Sequence, residues 1–158
     1  MIRAFLPSTK IFMVISRYLV AHYYLNRRVS SIEISSTFGL QHRQITPIMK
    51  KLVRVGLVKS KVGGLSPGYI LGCDPKEIKV NDIITVLQGP LYTDGCHSIL
   101  GESNNYFVKD FYSCSPERPC KLCRLVREDL LQFNRKLNQL SLYDLYEDSQ
   151  KMYSIAQN

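Results

Sequence analysis

The sequence predicts a mainly α-helical fold with one small β-hairpin. Apolar residues recur at helical spacing through most of the chain, and the rhythm breaks once, where two short apolar runs flank a Gly/Pro turn. The charge is as uneven as the pattern. Between Met1 and Gly72 eleven Lys/Arg stand against one acid, Glu33, a balance of +10; between Cys73 and Asn158 ten Lys/Arg stand against twelve acids, a balance of −2. A basic half joined to a slightly acidic one implies that only the first half meets a polyanion. The plainer alternative is a solvated basic surface.

The first helix, over roughly residues 8–25, is predicted by Ile11, Phe12, Ile15, Tyr18, Leu19, His22 and Tyr23. His22 lies on that stripe and reads as a packed histidine rather than a ligand. Ser30 and Glu33 form an S-x-x-E capping box that opens a short helix with Ile34 and Phe38 inward, ended by Gly39. A third helix carries Ile45, Ile48, Met49, Leu52 and Val53 on one face and stops at Gly56. Pro47 sits inside it, so either that helix starts near Thr46 or it is kinked.

Leu57 to Lys61 and Tyr69 to Leu71 read as two strands around Gly63-Gly64-Leu65-Ser66-Pro67-Gly68. Short helix, glycine turn, basic helix and hairpin together predict a winged helix-turn-helix. Asn81 to Leu87 predicts a further helix, and residues 91–119 read as a loop with room for a short helix. From Lys121 on, Leu122, Leu125, Val126, Leu130, Phe133, Leu137 and Leu140 form a long apolar stripe, a dimerisation helix in expectation, since a lone long helix must bury its face somewhere. Ser141 and Asp144 cap a last short helix. The expected organisation is a DNA-binding domain over 1–90, a cysteine-bearing loop over 91–120, and a dimerisation helix with a C-terminal helix over 121–158.

In such a fold the N-terminal side chains of the third helix reach base edges. Here these are Gln41, His42, Arg43, Gln44 and Thr46. Arg43 can chelate guanine, and Gln41 or Gln44 can pair with adenine. Lys50, Lys51 and Arg54 suit phosphates, and Lys59 and Lys61 on the wing can reach the backbone or an adjacent minor groove. A winged helix used for protein contacts is the competing reading, and the +10 balance counts against it.

The longest apolar run near the start, Ile11 to Ile15, is too short for a signal segment or a membrane span. A cytoplasmic protein with no membrane partner is therefore expected. In that reducing compartment the five cysteines Cys73, Cys96, Cys114, Cys120 and Cys123 do not read as a disulfide framework, which leaves metal or redox chemistry. Cys73 reads as a small packing residue. The three histidines His22, His42 and His97 are scattered and no paired-carboxylate or Ser/His/Asp grouping stands out, so no enzyme is expected.

The stretches Leu52-Val53-Arg54-Val55-Gly56-Leu57-Val58-Lys59-Ser60, Gly68-Tyr69-Ile70-Leu71, Ile78-Lys79-Val80-Asn81-Asp82-Ile83-Ile84, Gly89-Pro90-Leu91 and Leu140-Ser141-Leu142-Tyr143-Asp144-Leu145 resemble, in order and spacing, the Rrf2 family of dimeric winged-helix transcription regulators. The resemblance covers nearly the whole chain. It implies a long C-terminal helix that crosses to the partner subunit. It also implies an iron–sulfur cluster, [2Fe–2S] or [4Fe–4S], held by three cysteines and a variable fourth ligand.

Cys114-x5-Cys120 has the spacing of the family's last two cluster cysteines, Cys96 follows Gly89-Pro90-Leu91 where the first is expected, and Cys123 falls where some members carry a histidine ligand. Cys96, Cys114, Cys120 and Cys123 thus make a candidate all-thiolate set, with His97 a substitute. Structural zinc, a redox dithiol at Cys120 and Cys123, and plain thiols are the alternatives. The chain departs from the family pattern in three places. No Arg precedes the wing glycines, seventeen residues separate Cys96 from Cys114, and Ile11-Phe12-Met13 offers no carboxylate ligand. Two functions follow as expectations. One is a homodimeric regulator, a repressor, that binds a pseudo-palindromic operator and is switched by its cysteines. The other is a zinc or redox protein whose winged helix assembles with other proteins.

Overall fold

The computed structural model describes residues 5–89 and 120–156. Among these are α1 (Pro7–Tyr24), α2 (Ser31–Phe38), α3 (His42–Arg54), β1 (Val58–Lys61), β2 (Gly68–Leu71), α4 (Val80–Gln88), α5 (Lys121–Gln139) and α6 (Leu142–Ala156). The expected mainly helical fold with one hairpin is present, and α6 is longer than the short helix expected. The chain forms two compact units, one of Met1–Pro90 with Leu137–Asn158 and one of Leu91–Lys136. The loop expected over 91–119, with Cys96, His97 and Cys114, lies outside the described residues. No helix among the described residues is long and apolar enough to cross a membrane.

In the first unit α1 opens on Pro7, where a missing N–H costs nothing because first-turn amides have no helical partner. Two other donors at this end are met from far along the chain. Gln88 Oε1 accepts from Leu6 N at 2.9 Å and from Thr9 Oγ1 at 2.8 Å. The apolar stripe then buries Phe12, Ile15, Leu19 and Val20 against Ile34 of α2 and Ile45, Met49 and Leu52 of α3. His22 is half-buried, lies tilted with its ring centroid 4.2 Å from that of Tyr18, and donates from Nδ1 to the Tyr18 carbonyl, as a packed histidine should.

Ser30 caps α2 through a hydrogen bond that Glu33 N donates to its Oγ. The other half of the capping box is missing, because the Glu33 carboxylate accepts instead from Tyr18 Oη and Arg27 Nη2, both at 2.7 Å. Gly39 ends α2 at φ +63°, a conformation that a Cβ penalises. The third helix begins at His42, not near Thr46, and runs through Pro47. Gln44 Oε1 caps its start by accepting from Gln41 N at 3.0 Å.

The hairpin pairs Val58 with Leu71, Lys59 with Ile70, Ser60 with Tyr69 and Lys61 with Gly68. Val58 and Leu71 are buried and anchor its base in the core. Val29 adds a third backbone segment, exchanging two 2.8 Å hydrogen bonds with Tyr69. Gly68 is needed there, since a Cβ would lie 2.6 Å from the Val29 carbonyl oxygen. Cys73, just beyond β2, is half-buried against the core, and that burial pushes its thiol pKa up.

The chain returns at Leu137. An antiparallel bridge joins Lys79 to Ser141, with Val80 N donating to Leu140 O and Leu142 N to Ile78 O. Ser141 and Asp144 form the expected cap reciprocally, Ser141 N donating to Asp144 Oδ2 at 2.7 Å and Asp144 N to Ser141 Oγ at 3.2 Å. The last helix then packs on α1, where Tyr24 and Tyr143 meet edge to face. The described part of the second unit is Cys120 and α5 as far as Lys136. Along it Leu122, Leu125 and Leu131 are each more than half exposed.

Candidate nucleic-acid interface

The third helix divides cleanly into a buried and a wet face. Ile45, Ile48, Met49 and Leu52 are buried, while Gln41, His42, Arg43, Gln44, Lys50, Lys51 and Arg54 are exposed and Thr46 is half-buried. The predicted base-reading residues therefore sit together on the exposed N-terminal turn. Pro47 has no N–H for the Arg43 carbonyl four residues earlier, so that turn is tied to the rest of the helix by one bond fewer.

A cleft of about 650 Å³ opens beside this helix, lined by Lys50 and Arg54 of α3, Ser30 and Ser31 at the start of α2, and Lys61 and Tyr69 of the wing. Three cations and the positive end of a helix face one groove, which suits an extended anion such as a phosphodiester backbone. Of the predicted phosphate residues, Lys50, Arg54 and Lys61 are brought together here. Lys51 is not: its Nζ donates to the Leu87 carbonyl at 3.2 Å. Lys59 is exposed on β1 away from the cleft, close enough to Cys73 for its charge to act on that thiol.

The sequence reading missed Ser30 and Ser31. The S-x-x-E pattern located the start of α2, but only the fold shows that this start faces Lys50 and Arg54. The wing loop carries no cation between Lys61 and Gly68, and its apolar members Val62 and Leu65 are 96% and 103% exposed.

Of the four candidate metal ligands, Cys120 and Cys123 are described. Cys120 is exposed and immediately precedes α5, its carbonyl accepting from Arg124 N at 3.0 Å; Cys123 lies in the first turn and is half-buried. Cys120, just before the helix, and Cys123, three residues on, occupy places whose side chains can meet, as the two ends of a capping box do. Two thiolates so placed fit one edge of a cluster or a zinc site. Among the described residues no three potential ligands gather.

Helix-turn-helix, hairpin wing and basic cleft together define a winged-helix DNA-binding regulator. A family model described as "Iron-dependent Transcriptional regulator", Rrf2, matches residues 9–148, and the chain belongs to that family. Solved structures resemble it over most of its length. IscR of T. potens is 26% identical with a TM-score of 0.61, over 91% of this chain and 86% of that one. CymR of B. subtilis, titled a global cysteine regulator, is 23% identical with a TM-score of 0.64, over 93% and 98%. CymR of S. aureus is 20% identical with a TM-score of 0.64, over 89% and 95%.

Proposed function

We propose that this transcription regulator is a homodimeric repressor that binds a pseudo-palindromic operator and is switched at a cysteine site. The observation that carries the DNA-binding part is the cleft of Lys50, Arg54, Lys61 and the α2 N-terminus beside the exposed turn Gln41–Gln44. Arg43, Gln41 and Gln44 read base edges in the major groove, with His42 and Thr46 at their side. Lys50, Arg54 and Lys61 hold phosphates and fix the register.

Dimerisation is supported by α5, whose Leu122, Leu125 and Leu131 stay in water in a single chain. A second copy of the same helix would cover them and set two recognition helices about one DNA turn apart. Cys96, Cys114, Cys120 and Cys123 would hold an iron–sulfur cluster, with zinc as the alternative occupant of the same thiolates. When bound, such a group would supply redox- and iron-sensitivity to the cysteine site. The rest is a population shift between DNA-competent and incompetent dimers.

Gel-shift titration at several salt concentrations tests the first part, with binding that prefers one sequence and weakens with salt as the expected result. Binding with neither property overturns it. Iron and sulfide content of protein purified without oxygen tests the cysteine site separately, and an iron-free preparation removes the cluster while leaving the DNA-binding reading intact.

A further inference from the structure

The tip of the wing has a chemistry that phosphate binding does not use. Its loop runs from Val62 to Pro67 between the two strands. Within it Val62 and Leu65 are 96% and 103% exposed, so neither contributes to the core. Single exposed apolar residues are ordinary on protein surfaces, but here two share one short loop at the edge of the basic cleft. The residues between them are Gly63 and Gly64, at φ +74° and +76°. Consecutive left-handed glycines make a tight, slender bend whose backbone can approach a surface that a Cβ would hold off.

A slender apolar tip beside cations matches a DNA minor groove. That groove is about 6 Å wide, and proteins that enter it often insert Leu, Ile or Phe against sugars and between base steps. The two four-residue strands carry the loop about 13 Å from the hairpin's buried base at Val58 and Leu71. Lys61, at the base of the loop, lines the cleft and holds the near phosphates.

We propose that Val62 and Leu65 form an apolar wedge that enters the minor groove flanking the bases met by α3. The inference rests on the DNA-binding reading above and adds a specificity device to it. The tip carries no charge, so its contribution is insensitive to salt. It favours flexible pyrimidine–purine steps, which open most easily to a wedge.

The test uses the full chain and a duplex selected by it from a random library. Val62→Ser with Leu65→Ser, both on the surface loop, is compared with Lys50→Ala and with the natural sequence. The double serine variant is expected to weaken binding of the dimer about a hundredfold, the loss of apolar burial by roughly one leucine on each of two wings. The slope of log affinity against log salt should be unchanged, while Lys50→Ala lowers that slope by about two, one phosphate for each subunit. 2-Aminopurine scanned through the flanking steps should brighten on binding at one step with the natural chain and not with the serine variant. Equal affinity of the two, or a loss that comes with a lower salt slope, overturns the wedge alone. A natural chain that selects no duplex overturns the DNA-binding reading as well.

Discussion

The Lys51 ammonium lies 3.2 Å from the carbonyl oxygen of Leu87, so a cation of the recognition helix caps the last turn of α4. The next residue, Gln88, holds Leu6 N and Thr9 Oγ1 at the start of α1. One turn of α4 thus ties α3 to α1 immediately before the chain enters the cysteine-bearing segment. A cation at a helix C-terminus contributes about 0.3–1 kcal/mol. Lys51→Ala should lower stability to urea by that much and leave the salt slope of DNA binding unchanged. Lys50→Ala should do the reverse. If Lys51→Ala lowers the slope as Lys50→Ala does, its ammonium meets a phosphate in the complex.

Gly72 and Gly39 are both glycines at turns, but different physics holds them. A Cβ on Gly72 would collide with the Gly56 carbonyl oxygen, backbone that cannot swing aside, whereas one on Gly39 meets nothing within 4 Å. Gly39 is constrained only by its φ of +63°. Gly72→Ala should therefore cost about 3 kcal/mol, near the top of the range for local strain, and Gly39→Ala about 1 kcal/mol. Urea unfolding of the two variants checks the order; equal costs would show that the strand end at Gly72 relaxes freely.

Much of this was legible because periodicity and caps are local signals. Ile45, Ile48, Met49 and Leu52 all proved buried, Gly39 did close α2, and Ser141 with Asp144 did cap the last helix. The features that escaped notice join residues far apart in sequence. Nothing near Val29 announces its pairing with Tyr69, and nothing near Lys51 announces Leu87. The same limit hid half of the capping box. Glu33 is placed to reach back to Ser30, yet Tyr18 and Arg27 offer its carboxylate two charge-assisted bonds, which are stronger than one to an amide. For Pro47 local rules left two alternatives, and burial of Ile45 and Ile48 on either side of it goes with a helix that starts before the proline, not near Thr46.

Two carboxylates should make stability fall in acid. Burial pushes the Glu33 pKa up, but hydrogen bonds from Tyr18 and Arg27 outweigh it, and the net direction is down. Asp144 is lowered by the hydrogen bonds from the Ser141 hydroxyl and amide. A carboxylate whose folded pKa lies below its unfolded one stabilises the protein fully above the unfolded value. That stability is lost as pH falls through the folded value. Both groups are partly exposed, so solvent screening keeps each contribution to about 1 kcal/mol or less. Unfolding free energy should thus decline below the ordinary carboxylate range, and the decline should be shallower in Glu33→Gln and in Asp144→Asn. Parallel pH profiles for all three proteins would contradict the assignment.

Pro47 gives the sharpest conflict between stability and function. Its ring occupies the place of an N–H that would bond the Arg43 carbonyl, and proline inside a helix costs about 3 kcal/mol in general. The fold has absorbed part of that cost, so Pro47→Ala should raise the unfolding free energy by about 1–2 kcal/mol with an unchanged urea m-value. The turn freed by the missing bond is the one that carries His42, Arg43 and Gln44, while Lys50 and Arg54 follow the proline and line the cleft. Restoring the bond would move the first group relative to the second. The alanine variant should therefore lose preference for its selected operator while keeping its affinity for random duplex at the same salt, because phosphate contacts carry the latter. A variant that gains stability and keeps its sequence preference would show that Pro47 does not set the reading turn.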